Sequence, residues 1–365
     1  MSYTVLSVAY PLTPVGDDAA GGSEQVLTIL DRALTKAGHR SIVIAAEGSA
    51  IQGTLVPSPA ARGTIDEAER QWARRIHKEL IADTLATRRV DMIHMHSLDF
   101  HHYLPGGTIP VLATLHLPPD WYPASIFRCR RKSFYMNCVS VSQQKSCPRS
   151  ALMLPVVPNG VDVARLNGPA VKRNYALALG RICPEKGFHF SLEAAKLAGC
   201  EMVLAGELIP YAVHHQYFDR EIVPRLDSRR RFIGPVGFNR KRQLLAEAKC
   251  LLIPSTVQET SSLVAMEALA AGTPVIAYRS GALPEIVEHG RTGYLVSNPK
   301  EMARAIAAVD RLDGDECRKV ARKYFSCDRM VDGYSRIYSR MIPKETGEEY
   351  LIQRAVGGTS WLVNW

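Results

Sequence analysis

The sequence contains no run of about 18 apolar residues, the minimum length of a helix that spans a bilayer. Its first residues, Met1–Leu6, lack the basic segment of a signal peptide and lead directly into a strand-like pattern. Short-period repeats and low-complexity tracts are also missing. The composition, 46% hydrophobic and 22% charged, excludes a fibrous or a disordered chain. We therefore expect a cytoplasmic globular protein.

Paired cysteines are absent as well. The eight cysteines show no CxxC spacing: Cys129, Cys138, Cys147, Cys183, Cys200, Cys250, Cys317 and Cys327. A disulfide scaffold would be short and dense in cysteine, and a zinc site would show paired ligands. The pattern predicts reduced thiols.

Acidic residues are missing from one stretch, 121–150, although the chain holds 45 basic and 36 acidic residues in all. The basic residues there are Arg128, Arg130, Arg131, Lys132, Lys145 and Arg149, and the aromatic ones are Trp121, Tyr122, Phe127, Phe134 and Tyr135. Such a surface could contact anionic lipid headgroups, a phosphate-bearing substrate or nucleic acid. The alternative is a solvated loop whose aromatic side chains fill a core.

A length of 365 residues favours two domains. Short apolar runs alternate with helical periods in each half of the chain, which predicts βαβ units and parallel sheets. In the first half the predicted strands are 3–10, 41–46, 91–96, 111–117 and 135–142, with helices at 23–37 and 65–89. In the second half they are 175–179, 202–205, 231–233, 250–253, 274–277 and 294–296, and helices are predicted at 188–197, 315–324 and 328–342.

Prolines and glycines between 155 and 169 indicate a linker near 158–172. We expect an α/β protein in which two doubly wound Rossmann-like domains face each other across a cleft, with ligands at the carboxyl ends of the strands. The predicted boundaries are 1–165, 166–325, and a C-terminal helix and tail, 326–365. The tail carries Trp361 and Trp365, and we expect it to pack back toward the first domain because exposed tryptophan is costly.

The densest chemical pattern lies between Pro254 and Ile276. A strand ends at Pro254, a polar loop follows, and a helix that starts at Ser261 or Ser262 ends at Gly272. Glu259 then precedes a helix N-terminus, which favours an anionic ligand, and Glu267 lies inside the helix. The alternative makes Glu259 a solvated loop residue and Glu267 a surface helix position.

This stretch resembles the E-x7-E motif of retaining GT-B glycosyltransferases of family 4, the glycosyl transferases group 1. Besides the two glutamates, the matching residues are Leu263, Ala268, Gly272, Pro274 and Val275. The resemblance implies that Glu259 contacts hydroxyls of a donor sugar and that Glu267 holds the nucleotide ribose. Thr260-Ser261-Ser262 replaces the usual Gly-Phe-Gly, so we expect these residues and Leu263 to line a donor pocket whose sugar is not fixed by the motif.

A second segment, Leu179–Gly187, resembles the family's G-R-x-x-x-x-K-G sequence. It implies that Arg181 and Lys186 reach the donor diphosphate. Arginine suits bidentate phosphate binding and lysine supplies a movable charge, and a leaving diphosphate needs both. The alternative is two ordinary surface cations.

Two further segments fit the same family. Gly21-Gly22 opens a helix after the first strand, and the resemblance implies a loop that closes over the donor phosphates. Phe232–Val236 resembles the turn whose backbone meets the nucleobase, which makes Val236 a donor-binding candidate.

Five histidines crowd into 23 positions: His94, His96, His101, His102 and His116. Because no carboxylate or cysteine falls beside them at ligand spacing, we expect no metal site. His116 ends a predicted strand where the family carries an active-site histidine, so we take it as a site residue. A core or capping histidine is the alternative.

The leading hypothesis is a retaining, metal-independent hexosyltransferase that uses a UDP- or GDP-linked sugar and needs no other cofactor. The acceptor would be a glycan, a glycolipid or a polysaccharide precursor, with peripheral contact to an anionic membrane through 121–150. No nucleic acid is expected. Two alternatives stay open: a nucleotide-sugar epimerase of the same fold, and a non-catalytic basic protein that binds nucleotide or nucleic acid.

Overall fold

The computed structural model describes residues 2–19, 21–60, 65–168 and 171–342, which contain two parallel sheets of six strands each. The strands of the first sheet are Thr4–Val8 (β1), Arg40–Ala46 (β2), Thr54–Ser58 (β3), Met92–Met95 (β4), Val111–Leu115 (β5) and Phe134–Cys138 (β6). Those of the second are Tyr175–Leu179 (β7), Glu201–Ala205 (β8), Arg230–Phe232 (β9), Cys250–Ile253 (β10), Val275–Tyr278 (β11) and Gly293–Val296 (β12).

Helices connect the strands and cover both faces of each sheet. They are Gly22–Lys36 (α1), Glu67–Thr87 (α2), Val141–Ser146 (α3), Val163–Leu166 (α4), Phe188–Leu197 (α5), Ala212–Tyr217 (α6), Phe238–Glu247 (α7), Leu263–Ala270 (α8), Leu283–Ile286 (α9), Pro299–Ala308 (α10), Gly314–Tyr324 (α11) and Cys327–Met341 (α12). In the described ranges, no helix combines the length and the apolar composition that crossing a bilayer needs.

The two sheets share one strand order. It runs β3-β2-β1-β4-β5-β6 in the first sheet and, read in the same sense, β9-β8-β7-β10-β11-β12 in the second. In such doubly wound sheets the order reverses at one point, between β1 and β4 and between β7 and β10, and ligands bind outside the carboxyl ends of those strands. The predicted α/β fold class is confirmed.

Local sequence accounts for the elements. Strands such as β1 and β5 are buried along their whole length because helices cover both faces of a parallel sheet. Helix α2 begins where the Asp66 carboxylate accepts a hydrogen bond from the Glu69 N–H. Helix α8 is followed by Gly272, whose φ of 75° is accessible to glycine without strain.

The last described helix returns to the first sheet. Met330, Tyr334 and Tyr338 of α12 are buried in one apolar cluster with Val5 of β1 and Leu112 of β5. The chain therefore crosses between the sheets twice, once through the linker and once before α12. The domain boundaries stay a prediction, and the tail with its two tryptophans lies outside the described residues.

Candidate active site

The two predicted motifs of the second sheet meet at its switch point. Residues 180–187 follow β7 and residues 254–262 follow β10, and these strands are paired in the sheet. The Thr256 N–H donates to the Glu185 carbonyl oxygen at 2.9 Å. At Gly187, where φ is 61°, a Cβ atom would lie 2.4 Å from the Pro254 carbonyl oxygen, so the close approach requires glycine.

Lys186 and Glu259 form an ion pair across this junction. The Lys186 Nζ lies 2.6 Å from Glu259 Oε1, and the Ser255 hydroxyl donates to the same oxygen. Glu259 is 8% exposed, so the alternative of a solvated loop residue is wrong. The Lys186 side chain keeps 28% of its surface accessible, which leaves its ammonium open to a second anion from solvent.

Arg181 follows directly after Gly180 at the end of β7 and is half-buried. Within the described part of the chain its guanidinium makes no hydrogen bond and no ion pair. In the same turn as Lys186, Arg181 is therefore a cation without a carboxylate partner among the described residues. Such a group is available to an anionic ligand, and its five N–H donors suit a phosphate group.

Glu267 is held by a lysine that the sequence motifs did not indicate. The Lys241 Nζ, from α7, lies 2.6 Å from Glu267 Oε1, and both side chains are almost fully buried. The interpretation of Glu267 as a surface helix position is therefore wrong. Lys241 carries no recognisable signal in the sequence, since it is one of several basic residues in α7 and lies 26 positions from its partner.

The Gly21-Gly22 turn lies opposite the start of α8. A Cβ atom on Gly22 would be 3.4 Å from Leu263 Cδ1, which brings the first domain against the predicted donor pocket. The Glu24 carboxylate folds back over Gly21 and accepts hydrogen bonds from the Ser23 and Thr13 hydroxyls. A phosphate bound at this turn would lie beside that carboxylate.

His116 faces the same junction from the end of β5. The Thr260 hydroxyl donates to the His116 backbone carbonyl at 2.7 Å, and so joins the two domains at this point. The His116 Nε2 lies 3.1 Å from His96 Nδ1, and the rings are stacked. Burial lowers the pKa of His116 to about 3, so the imidazole is neutral at physiological pH.

Two further members of the histidine cluster, His94 and His96, lie between His116 and α12. The ring centroids of His94 and His96 lie 3.9 Å apart with the rings tilted by 42°. The two ring nitrogens of His94 are hydrogen-bonded to the Tyr338 hydroxyl at 2.7 Å and the Thr114 hydroxyl at 2.8 Å. Burial holds the pKa values of His94 and His96 well below the usual range. These two rings form a buried polar network that connects His116 to α12.

The other predicted donor-binding residues surround the Glu259 loop or face it. Ser262 is the N-cap residue of α8, as predicted, and its side chain makes no capping hydrogen bond. The Ser261 hydroxyl is buried, and in the described residues it has no hydrogen-bond partner. Val236 follows β9 and packs against the core of the second domain. An unpaired buried hydroxyl is costly, so Ser261 is a candidate for ligand contact.

The basic segment 121–150 differs from the predicted surface in two respects. Tyr122, Phe127 and Phe134 are buried in the core of the first domain, so for these three the core alternative is correct. Arg131 is also buried and donates hydrogen bonds to the carbonyl oxygens of Pro105 and Ile109. Burial lowers its pKa to about 10. The exposed members are Trp121, Arg128, Arg130, Lys132, Lys145 and Arg149.

Comparison with known proteins agrees with this fold. Residues 173–310 match the family described as glycosyl transferases group 1. The phosphatidyl-myo-inositol mannosyltransferase of Mycolicibacterium smegmatis is 24% identical over 336 residues, which cover 84% of each chain. The chain spans about half the length of the first curated relatives that it matches, 53% of one and 45% of the next.

Solved structures extend the match to both domains. The glycosyltransferase AviGT4, involved in avilamycin A biosynthesis, is 26% identical with a TM-score of 0.70, over 93% of this chain and 98% of AviGT4. Anabaena HepE in complex with UDP-glucose is 19% identical with a TM-score of 0.66, over 92% of this chain and 99% of HepE. The fold is thus the GT-B architecture. The resemblance of the sequence to the glycosyl transferases group 1 is confirmed.

Proposed function

We propose that the protein is a retaining hexosyltransferase that takes its sugar from a UDP- or GDP-linked donor. The observation that carries this proposal is the Lys186–Glu259 ion pair at the switch point of the second sheet. Arg181 lies in the same turn as Lys186 and is unpaired among the described residues. Two cations in the turn after β7 suit a diphosphate, and a buried carboxylate after the neighbouring strand β10 suits sugar hydroxyls.

The reaction needs charge stabilisation above all. When the bond between the sugar C1 and the diphosphate oxygen breaks, the electron pair leaves with the diphosphate, and Arg181 and Lys186 would neutralise it. The acceptor hydroxyl would attack C1 from the same face and give its proton to the departing phosphate oxygen. This accounts for retention without an enzymatic nucleophile. His116, neutral and close to the junction, would hydrogen-bond the donor sugar.

Glu267 has a different part in this proposal. Among the described residues its carboxylate is paired with Lys241 through Oε1 alone, so Oε2 is available to accept hydrogen bonds from the ribose hydroxyls. The ribose does not change during the reaction, so this contact would contribute to binding and not to the chemical step. Val236, Ser261, Ser262 and Leu263 would complete the donor pocket, with Gly21-Gly22 facing them from the first domain.

The nature of the donor is supported by the fold that the chain shares with HepE, whose structure contains UDP-glucose. The matched family consists of glycosyl transferases, which does not favour the epimerase alternative. No metal is required in this mechanism, since the two cations of the second domain carry the charge that a metal ion would otherwise neutralise.

The acceptor would bind to the first domain, and we propose a glycan or a lipid-linked precursor. Arg130 and Lys132 are exposed and flank Arg131 in the chain, whereas Arg131 itself is buried. The double variant Arg130→Ser/Lys132→Ser should therefore bind less to anionic liposomes at low salt, where each basic residue contributes about 1 kcal/mol. Equal sedimentation of the variant and the wild type would remove the membrane contact from the proposal.

A thermal-shift panel of UDP-, GDP- and ADP-sugars tests the donor assignment. A ligand that binds only the folded state raises the apparent stability by mass action, so one nucleotide series should raise Tm selectively. Arg181→Ala and Glu267→Ala should reduce the shift. If no nucleotide sugar raises Tm while the protein is retained on DNA in a salt-dependent manner, the non-catalytic alternative is favoured.

A further inference from the structure

Three potential metal ligands lie together outside the residues used above. Cys183, Glu185 and His214 each offer one ligand atom, and these atoms all lie within 4.8 Å of one another. Cys183 and Glu185 are in the turn that follows β7, while His214 is on α6, which follows β8. In the described part of the chain this is the one such group of three or more histidine, cysteine or acidic residues.

His214 provides a second, independent observation. The residue is 8% exposed, and its Nδ1 is buried without a hydrogen-bond partner among the described residues. An unsatisfied buried polar atom costs about 1–3 kcal/mol, so its presence requires an explanation. A cation bound at Nδ1 would supply the missing partner. Cys183 is 3% exposed, and Glu185, half-buried, leaves the group accessible from one side.

The chemistry of the three ligands favours one metal ion. A thiolate, an imidazole and a carboxylate are the ligand types that Zn²⁺ takes in proteins, at roughly 2.0–2.3 Å from the metal. In a tetrahedral site those distances place ligand atoms roughly 3.3–3.8 Å apart. Ligand atoms within 4.8 Å of one another need to approach by only about 1 Å to reach that geometry.

We propose that Cys183, Glu185 and His214 bind one Zn²⁺ ion, with the fourth coordination position open to water. The ion would connect the turn after β7 to α6. Spacing in the sequence could not indicate this site, because His214 is far from the other two ligands along the chain and reaches them only through the pairing of β7 with β8. The proposal does not depend on sugar transfer, which uses other residues.

Metal binding by the full chain tests the site. After removal of metal with a chelator, the wild type should take up one Zn²⁺ per chain in equilibrium dialysis at micromolar free Zn²⁺. Cys183→Ser, Glu185→Gln and His214→Gln should each weaken the apparent affinity by at least about tenfold. Two control variants should leave the apparent affinity for Zn²⁺ unchanged. They are His215→Gln, at a neighbouring exposed histidine, and Cys200→Ser, at a cysteine outside the group.

Co²⁺ provides a readout that is independent of affinity. A thiolate-to-cobalt charge-transfer band in the near ultraviolet should appear with the wild type and disappear with Cys183→Ser. Circular dichroism shows whether each variant is folded. If Cys183→Ser and His214→Gln do not fold, Glu185→Gln serves as the test, because Glu185 is the least buried of the three ligands. The site is overturned if the wild type takes up no metal, shows no such band, or keeps its stoichiometry in folded Cys183→Ser.

Discussion

The Thr260 hydroxyl donates a hydrogen bond to the backbone carbonyl of His116 at 2.7 Å, and it thereby connects the loop after β10 to the end of β5. Thr260 occupies the position at which the related motif has a glycine, and a glycine could not make this contact. The departure from the motif therefore has a structural consequence. It links the two domains at the point where the predicted donor site and the predicted active-site histidine meet.

Removal of the Thr260 hydroxyl should weaken this link. Thr260→Val keeps the shape of the side chain and loses the donor, and one hydrogen bond contributes about 0.5–1.5 kcal/mol. We expect the KM for the donor to rise by roughly two- to tenfold, as measured by steady-state kinetics. Thr260→Ser is the control because it retains the hydroxyl. If both variants behave like the wild type, the hydrogen bond does not contribute to donor binding.

The Lys186–Glu259 pair should show strong energetic coupling. Lys186→Met leaves the Glu259 carboxylate buried without its cation, and Glu259→Gln removes the charge that orients Lys186. Each variant should lower kcat/KM by at least about tenfold, and the double variant should lose far less than the product of the two effects. Glu259→Gln should also lower kcat, since the proposed donor complex places Glu259 against the reacting sugar. Additive effects on kcat/KM would show that the two residues act separately.

The Lys241–Glu267 pair allows stability to be separated from binding. Glu267→Leu leaves the Lys241 ammonium buried and unpaired, so the free energy of unfolding should fall by about 3 kcal/mol. Lys241→Met/Glu267→Leu replaces both charges with apolar groups and should recover most of that stability. Donor affinity, measured by titration calorimetry, should remain low in both variants. Recovery of donor binding in the double variant would show that Glu267 does not contact the donor.

His77 should make the protein sensitive to acid. It is fully buried in α2, neither ring nitrogen has a partner in the described residues, and burial lowers its pKa to about 4. Below pH 6.5 the unfolded chain binds a proton that the folded chain does not, so stability is lost as pH falls from 6.5 toward 4.

The variant His77→Leu should remove this loss. The wild type should lose about 2 kcal/mol between pH 6.5 and pH 5 through this group, because each pKa unit corresponds to about 1.4 kcal/mol. In urea unfolding, the free energy of unfolding of His77→Leu minus that of the wild type should therefore be larger at pH 5 than at pH 8. His215→Leu, on an exposed histidine, is the control. An equal stability difference at both pH values would contradict the assignment.

Much of the fold could be predicted because the apolar runs are short and regularly spaced. The helix 188–197 and the strands 175–179 and 250–253 have the predicted bounds. Strand β3 was missed, since it is five residues long, contains Pro57 and has two exposed positions. Proline is tolerated at the edge of a sheet, and β3 is an edge strand.

The candidate site was only partly predictable. Glu259, Glu267, Arg181 and Lys186 lie in contiguous motifs, so the resemblance to a known family predicted them as site residues. The partners of these residues come from distant segments of the chain. The Lys241–Glu267 contact depends on how α7 packs against α8, and the Thr260–His116 hydrogen bond depends on how the two domains pack. Arg131 is buried, whereas its neighbours Arg130 and Lys132 are exposed. A count of basic residues in the sequence cannot reveal this difference.

Release of nucleoside diphosphate is the most direct measurement of the proposed activity. With the nucleotide sugar that the thermal-shift panel selects, the wild type should release the diphosphate and transfer or hydrolyse the sugar with retention at C1. Arg181→Ala should lower kcat/KM by at least about tenfold, because a cation that stabilises the leaving group is lost. Arg304→Ala, on the exposed face of α10, should match the wild type. Failure to release diphosphate from any UDP-, GDP- or ADP-sugar, or equal rates for Arg181→Ala and the wild type, would contradict this function.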